Sequence, residues 1–360
     1  MRAWDVTANS RGPLTESRCC DNAVTIDASS LGELEWATCA SHPVKQPPNV
    51  RINQANDSPR RGRGNGNERR RRDFPSVAEP VKIPFATSPV TAHVSGPVAE
   101  TQSPVCGGHQ VRVAALYDIH GNLPALEAAL QDVRAAGADA VVVGGDVLPG
   151  PMPRETLACL TALDLPVHFI HGNGDRVVAA FLAGDDITEV PEAFRDSIAW
   201  TAQQLDAGQR ELLTTWPPTC QLEIPKIGRT LFCHATPRND VECFTRATLD
   251  ARLEPVFAGI ESAVVVCGHT HLQFDRRVAE HRIINAGSVG MPFAGPPGAY
   301  WLMLAAGVQL RRTDYDFEAT AAQFRRTDFP HVEALAVRYV LSPPTEDESL
   351  QMLAGAELRA

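Results

Sequence analysis

Nowhere in the 360 residues does an apolar run approach the ~20 needed to cross a membrane. The first thirty residues lack a charged start followed by an apolar core, so no secretory signal is visible. The nine cysteines are odd in number, scattered, and without metal-finger spacing. They read as free thiols of a reducing compartment, and the expected location is cytoplasmic. Positive charge is also in short supply: the chain carries −10 at neutral pH. Residues 1–110 hold 13 basic and 11 acidic side chains, and the remainder holds 20 and 32. An acidic catalytic region is poorly suited to a nucleic-acid backbone, so the expected partner is a small molecule, with neither membrane nor nucleic acid. No feature specifies an oligomeric state.

What is present is enough apolar material, 44% of residues, for a large core. Its distribution divides the chain. Residues 1–110 are rich in Pro, Ser, Asn and Arg, hold no amphipathic period, and carry a basic cluster at Arg60–Arg63 and Arg69–Arg72. This composition fits disorder, or a reading frame opened too far upstream, with the folded domain beginning near Val111. From Val111 the pattern changes. Val111–Leu116, Ala140–Val143 and Pro166–Ile170 read as buried strands, separated by helices at Leu123–Ala136 and Arg154–Leu163. This β-α-β-α-β series implies parallel strands whose carboxyl ends gather the ligand. Residues 177–217 read as helical and interrupt the strands, as a cap insertion or flanking layer. Strands follow at Leu222–Ile224, Thr230–Cys233, Ala263–Cys267, Arg277–Val278, Arg282–Ile284, Ala299–Leu304 and Val308–Thr313, with a helix near Leu249–Ala258. The domain spans 111–313. Residues 314–360 add two helices, near Phe317–Arg326 and His331–Tyr339, and an acidic, Pro-containing tail.

Polar residues recur at the strand ends: Asp118 and His120 as D-x-H, Asp146 after two glycines, Asn173 after Gly172, His234 in H-x-x-P, and His269 and His271 in G-H-x-H. Residues i and i+2 of an extended segment share a side, so Asp118 and His120 could grip one cation. All seven offer oxygen or imidazole donors and no thiolate. That mixture suits Mn²⁺ foremost, with Fe²⁺, Zn²⁺, Ni²⁺ or Mg²⁺ as alternatives. Seven groups exceed what one cation takes, and two cations sharing a carboxylate fit the number.

The order D-x-H, G-D, G-N, H-x-x-P, G-H-x-H resembles the calcineurin-like metallophosphoesterases over roughly Val111 to Thr313. The stretches Asp118–Leu126 and Asn285–Pro292 are similar to the small prokaryotic phosphodiesterase-like branch. The resemblance implies an α/β fold, a four-layer α-β-β-α sandwich. It implies Asp118, His120 and His271 on one metal, Asn173, His234 and His269 on a second, and Asp146 bridging them. It also implies phosphodiester hydrolysis, with a metal-bridging hydroxide as nucleophile.

One departure from the pattern matters. Much of the family carries His after the motif Asn, assigned to leaving-group protonation, whereas this chain has Gly174. His171 lies nearby, but alternation does not bring it to that place. Arg176 and Arg238 flank the motifs, and their donor forks suit phosphate oxygens or an acidic neighbour. Asp175 is expected to hydrogen-bond behind the ligands, and Asn285 and Ser288 to shape the loop beneath them. Cys233 and Cys267 are expected to be buried apolar fillers. Two rival functions stand beside the diesterase: a dinucleoside polyphosphate or protein phosphomonoester hydrolase, and a non-catalytic scaffold of the same fold.

Overall fold

Strand β1 (Val113–Leu116) is buried along its whole length, and its alternate residues serve two different cores. Ala114 and Leu116 face outward against helices, while Val113 and Ala115 face a second sheet. This double burial is why the strand reads as a continuous apolar run, as strands of covered parallel sheets do. The computed structural model describes residues 111–358 apart from Glu189. The expectations for residues 1–110 lie outside the described residues.

Two five-stranded sheets face each other. The first has the order β10-β9-β1-β2-β3, with β2 at Ala140–Val143, β3 at Val167–Phe169, β9 at Ala299–Leu304 and β10 at Val308–Thr313. The second has the order β4-β5-β6-β8-β7. Its strands are β4 (Thr219–Ile224), β5 (Gly228–Cys233), β6 (Val264–Cys267), β7 (Phe274–Val278) and β8 (His281–Asn285). Parallel pairing runs through β1-β2-β3 and through β5-β6-β8. Tyr117, Phe232, Val264, Val266 and Ile284 fill the space between the sheets. Helices α1 (Leu123–Ala135) and α2 (Pro153–Thr161) belong to the layer outside the first sheet. Helix α6 (Asp250–Phe257) covers the second. The four layers of the expected sandwich are therefore present. Cys233 and Cys267 point outward into the α6 layer, fully buried, and burial pushes both thiols well above their ordinary pKa.

Residues 177–217 form most of α3 (Asn173–Ala183), all of α4 (Glu192–Gln204) and α5 (Ala207–Leu213). Val178, Phe194, Ile198, Ala202 and Leu213 join the same core as α1 and α2, so this segment extends the outer layer of the first sheet. Helix α3 begins four residues earlier than its apolar pattern suggests, because Asn173 and Gly174 form its first turn.

The C-terminal segment holds α7 (Phe317–Phe324), then α8 (Val332–Leu335), which runs on as a π-helical turn over Ala336–Leu341. The tail is not bare. It contains α9 (Glu346–Ala354), capped by Thr345, whose side chain accepts from Glu348 N while the Glu348 carboxylate accepts from Thr345 N. These helices bury Leu272, Met291 and Phe293, residues of the loops that follow β6 and β8. Among the described residues, no helix is long and apolar enough to cross a membrane.

Candidate metal centre

Each of the seven candidate ligands follows a parallel strand: β1 for Asp118 and His120, β2 for Asp146, β3 for Asn173 (the first residue of α3), β5 for His234, β6 for His269 and His271. The placement is as expected, but the local conformation is not. Asp118 and His120 are not extended. Their φ angles are 52° and 47°, in the left-handed region, as are those of Asp146 (49°), His269 (66°) and His271 (57°). The alternation argument for D-x-H therefore does not apply. The loops turn back sharply and aim successive side chains at one point. Such non-glycine conformations cost about 1–3 kcal/mol each and persist only where the surroundings over-determine them.

The surroundings do so here. Ser288 Oγ donates to the Asp118 carbonyl at 2.7 Å, and Gly290 N donates to the same oxygen at 3.0 Å. His120 N donates to the Asp146 carbonyl at 3.0 Å. Asn285 Nδ2 donates to the Gly268 carbonyl at 2.7 Å, holding the loop that carries both histidines. Asp175 Oδ1 accepts from Leu148 N at 2.9 Å and its Oδ2 from Gly172 N at 3.0 Å, tying the loops after β2 and β3 together. Asp175, Asn285 and Ser288 thus sit behind the site, as their positions in the sequence suggested. Asn122 adds a tie that sequence reading missed: it caps α1 through Ala125 N and donates to the Gly290 carbonyl.

Two groups of side chains result, each with donor atoms within 4.8 Å of one another: Asp118, His120 and His271, and Asp146, His234 and His269. All six are buried. Each carboxylate anchors one oxygen and presents the other. Asp118 Oδ2 accepts from His269 N at 2.9 Å, while its Oδ1 lies 3.4 Å from His271 Nε2. Asp146 Oδ1 accepts from Gly174 N, in the first turn of α3, at 2.7 Å. Its Oδ2 lies 3.5 Å from His234 Nε2 and 3.8 Å from His120 Nε2, so it faces both groups. The imidazoles are oriented in the same way. His271 Nδ1 donates to the Met291 carbonyl at 2.6 Å and His234 Nδ1 to the Gly144 carbonyl at 3.0 Å. A carbonyl only accepts, so each neutral ring leaves its Nε2 lone pair for the centre.

Asp118 Oδ1, Asn173 Oδ1 and His234 Nε2 are buried and make no hydrogen bond. Buried polar atoms left without a partner cost about 1–3 kcal/mol each. Carboxylate and imidazole donors grouped in this way fit divalent cations, and Asn173 adds a buried amide oxygen without a partner. Charge agrees with that reading. Burial would raise both carboxyls, but His271 beside Asp118 and His234 beside Asp146 outweigh it and hold both below the usual range. Burial drives His120 and His269 down to about 4, so both rings are neutral at pH 7. Burial also acts to lower His234, but Asp146 and Asp118 override it and raise the ring to about 10. In the metal-free protein a proton on His234 stands where a cation would neutralise the same carboxylates. Asp175 is pushed up to about 8 by burial, reinforced by Asp146.

The sequence matches the model of the calcineurin-like phosphoesterase superfamily domain over residues 111–306. The chain belongs to that superfamily. It is therefore a metal-dependent phosphoester hydrolase by family. It is 24% identical over 237 residues to an uncharacterised protein of Methanocaldococcus jannaschii, covering 61% of this chain and 93% of the relative. A metallophosphoesterase from Sphaerobacter thermophilus superposes with a TM-score of 0.53 at 26% identity, covering 64% of this chain and 98% of its own. A hypothetical protein from Pyrococcus horikoshii OT3 shares the fold with a TM-score of 0.57 at 21% identity, over 65% and 100%.

The flanking residues are placed as follows. Arg176 gives Nε and Nη2 to Asp240 at 2.6 and 3.1 Å, and Arg238 pairs with Glu242. His171 Nδ1 lies 3.7 Å from Asp240 Oδ2, and burial lowers its pKa. Gly174 sits in a tight space. A Cβ there would lie 2.3 Å from the Leu148 carbonyl oxygen and 3.1 Å from Asp146 Oδ1. Gly172 is tighter still, since its Cβ would lie 2.1 Å from Asp146 Oδ1.

Proposed function

We propose that this superfamily member hydrolyses a phosphodiester at a two-metal centre. Asp118, His120 and His271 would hold one cation and Asn173, His234 and His269 the other, with Asp146 available to both. The observation that carries the reading is the position of Asp146 Oδ2, which faces His120 of one group and His234 of the other. Manganese is the favoured metal, given a donor set of oxygen and imidazole with no thiolate among the grouped side chains. When bound, a pair of divalent cations supplies Lewis acidity and brings the pKa of water toward neutrality.

The chain's own residues do the rest. Asp118 and Asp146 present one oxygen each, and the carbonyls of Met291 and Gly144 keep His271 and His234 facing inward. Dense packing around Gly172 and Gly174 keeps the loops after β2 and β3 in contact. Gly174 also supports the choice of ester. No imidazole stands there to protonate a leaving group, a contribution worth about 10²–10⁴-fold. Relatives that cleave phosphomonoesters or dinucleoside polyphosphates generally keep that His. The scaffold reading is disfavoured because all seven residues of the motif set are present. A cytoplasmic location fits the free thiols at Cys159, Cys220, Cys233 and Cys267.

The test is turnover by the manganese-loaded protein on bis-nitrophenyl phosphate and nitrophenyl phosphate. The diester should be cleaved faster, and a nitrophenolate diester far faster than an alkyl one. Preference for the monoester would reverse the assignment.

A further inference from the structure

His269 is oriented differently from the other inward-facing rings. Where His234 and His271 donate to main-chain carbonyls, His269 Nε2 meets a side chain, the thiol of Cys243, at 3.4 Å. Cys243 is 2% exposed, and the same sulfur lies 3.9 Å from the Val241 carbonyl. That carbonyl can only accept, so it takes the S–H, and the sulfur lone pair is turned toward the ring. A sulfur lone pair facing the ring favours the proton on Nε2, which leaves the lone pair on Nδ1. Cys243 belongs to neither group of candidate metal donors; its contact with the centre is through His269.

The thiol is itself held from far along the chain. Cys243 forms an isolated parallel bridge with Glu357, and Leu358 N donates to the Cys243 carbonyl at 3.0 Å. The Glu357 carboxylate accepts from Thr248 Oγ1 at 2.7 Å and from Arg252 Nη1 at 3.2 Å. Leu358 is buried with Phe244, Leu253 and Phe257 in the outer core of the second sheet. The C-terminal residues thus close over the segment that supports a candidate ligand, although they lie outside the stretch matched to the family.

We propose that Cys243 is a positioning residue for the second metal subsite, its thiol selecting the Nε2-protonated form of His269, with the Glu357–Leu358 segment holding that thiol in place. This rests on the two-metal reading above. Loss of a hydrogen-bond partner behind a metal-binding imidazole typically weakens metal affinity by about 10–100-fold.

The experiment titrates full-length, metal-free protein with Zn²⁺ by calorimetry and reads the His269 ring nitrogens by ¹⁵N NMR. The unsubstituted protein should bind two ions, with His269 protonated at Nε2. Cys243→Ala should weaken the second ion by about 10–100-fold, leave the first unchanged and mix the His269 tautomers, with little change in the melting of the metal-free protein. Cys243→Ser, whose hydroxyl still accepts, should recover part of the affinity, and Leu358→Asp should reproduce the alanine effect. Should Cys243→Ala fail to fold, the ring nitrogens of the unsubstituted protein still decide, since an Nδ1-protonated His269 overturns the proposal. Two wild-type affinities in Cys243→Ala would also overturn it. Fewer than two ions in the unsubstituted protein would instead overturn the two-metal reading itself.

Discussion

The two halves of the candidate centre are built from different materials. The Asp118–His120–His271 half is held from the strand-end loops themselves: Asp118 by His269 N, Ser288 Oγ and Gly290 N, and His271 by the Met291 carbonyl. The Asp146–His234–His269 half depends more on what lies beyond the strand loops, namely the first turn of α3, the thiol of Cys243 and the residues that clasp it. They differ in charge as well. His120 is already neutral at pH 7, whereas His234 holds a proton up to about 10. The second half, with a side-chain thiol beside the His269 ring and a displaceable proton on His234, is where mutation and pH should act.

The change that should erase the contrast is Asp146→Asn, because its Oδ2 faces both halves. Turnover should fall by more than the roughly 100-fold that losing one hydrogen-bond partner of a ligand can cost, and both ions should bind more weakly. Metal analysis alongside the rate would show whether one ion alone is lost, which would place the shared carboxylate elsewhere.

Next comes Gly174→His, which restores the residue common in the family. Gly174 has no positive φ to forbid a side chain. The obstacle is the Leu148 carbonyl oxygen, 2.3 Å from where the Cβ would lie. The backbone must shift, and because Gly174 N holds Asp146 Oδ1, the shift should reach the shared carboxylate. We expect a loss of about 1–3 kcal/mol in stability and weaker metal binding, with Gly174→Ala showing most of the same cost. A stable, fully metallated Gly174→His with faster cleavage of an alkyl diester would show that the loop has room after all.

The pH dependence should separate the halves without mutation. A cation entering the second half must displace the His234 proton, so its affinity should rise with pH by about tenfold per unit between about pH 6 and 8. In the first half His120 has no proton to give up in that range and adds no slope. Calorimetric titrations at three pH values would reveal one sloping and one flatter constant.

The smallest effects should come from the arginines. Arg176 and Arg238 are already engaged by Asp240 and Glu242, and their side chains are 39% and 47% exposed. Exposed pairs are worth about 0–1 kcal/mol, so replacing either by Ala should change KM by less than about fivefold. A rise of tenfold or more would return that arginine to the substrate.

The layers and the strand-end placement of all seven residues were legible because apolar runs and D-x-H, G-D, G-N and G-H-x-H motifs are local signals. The left-handed turns at Asp118, His120, Asp146, His269 and His271 were not, because they depend on carbonyls and amides supplied by other loops. Cys243 gave no signal at all, as its partner lies 26 residues away and its clasp at residues 357–358. Helix α9 was a missed reading: Thr345 and Glu348 form the S/T-x-x-E box that announces a helix start, obscured by the two prolines before it.

The central claim is that two half-sites share Asp146 yet bind their cations through separate histidines. Manganese stoichiometry in the unsubstituted protein, His271→Ala, His234→Ala and Asp146→Asn tests it most directly. The expected result is two ions, then one, one, and neither bound tightly. Equal loss of both ions in all three variants, or one ion in the unsubstituted protein, would contradict it.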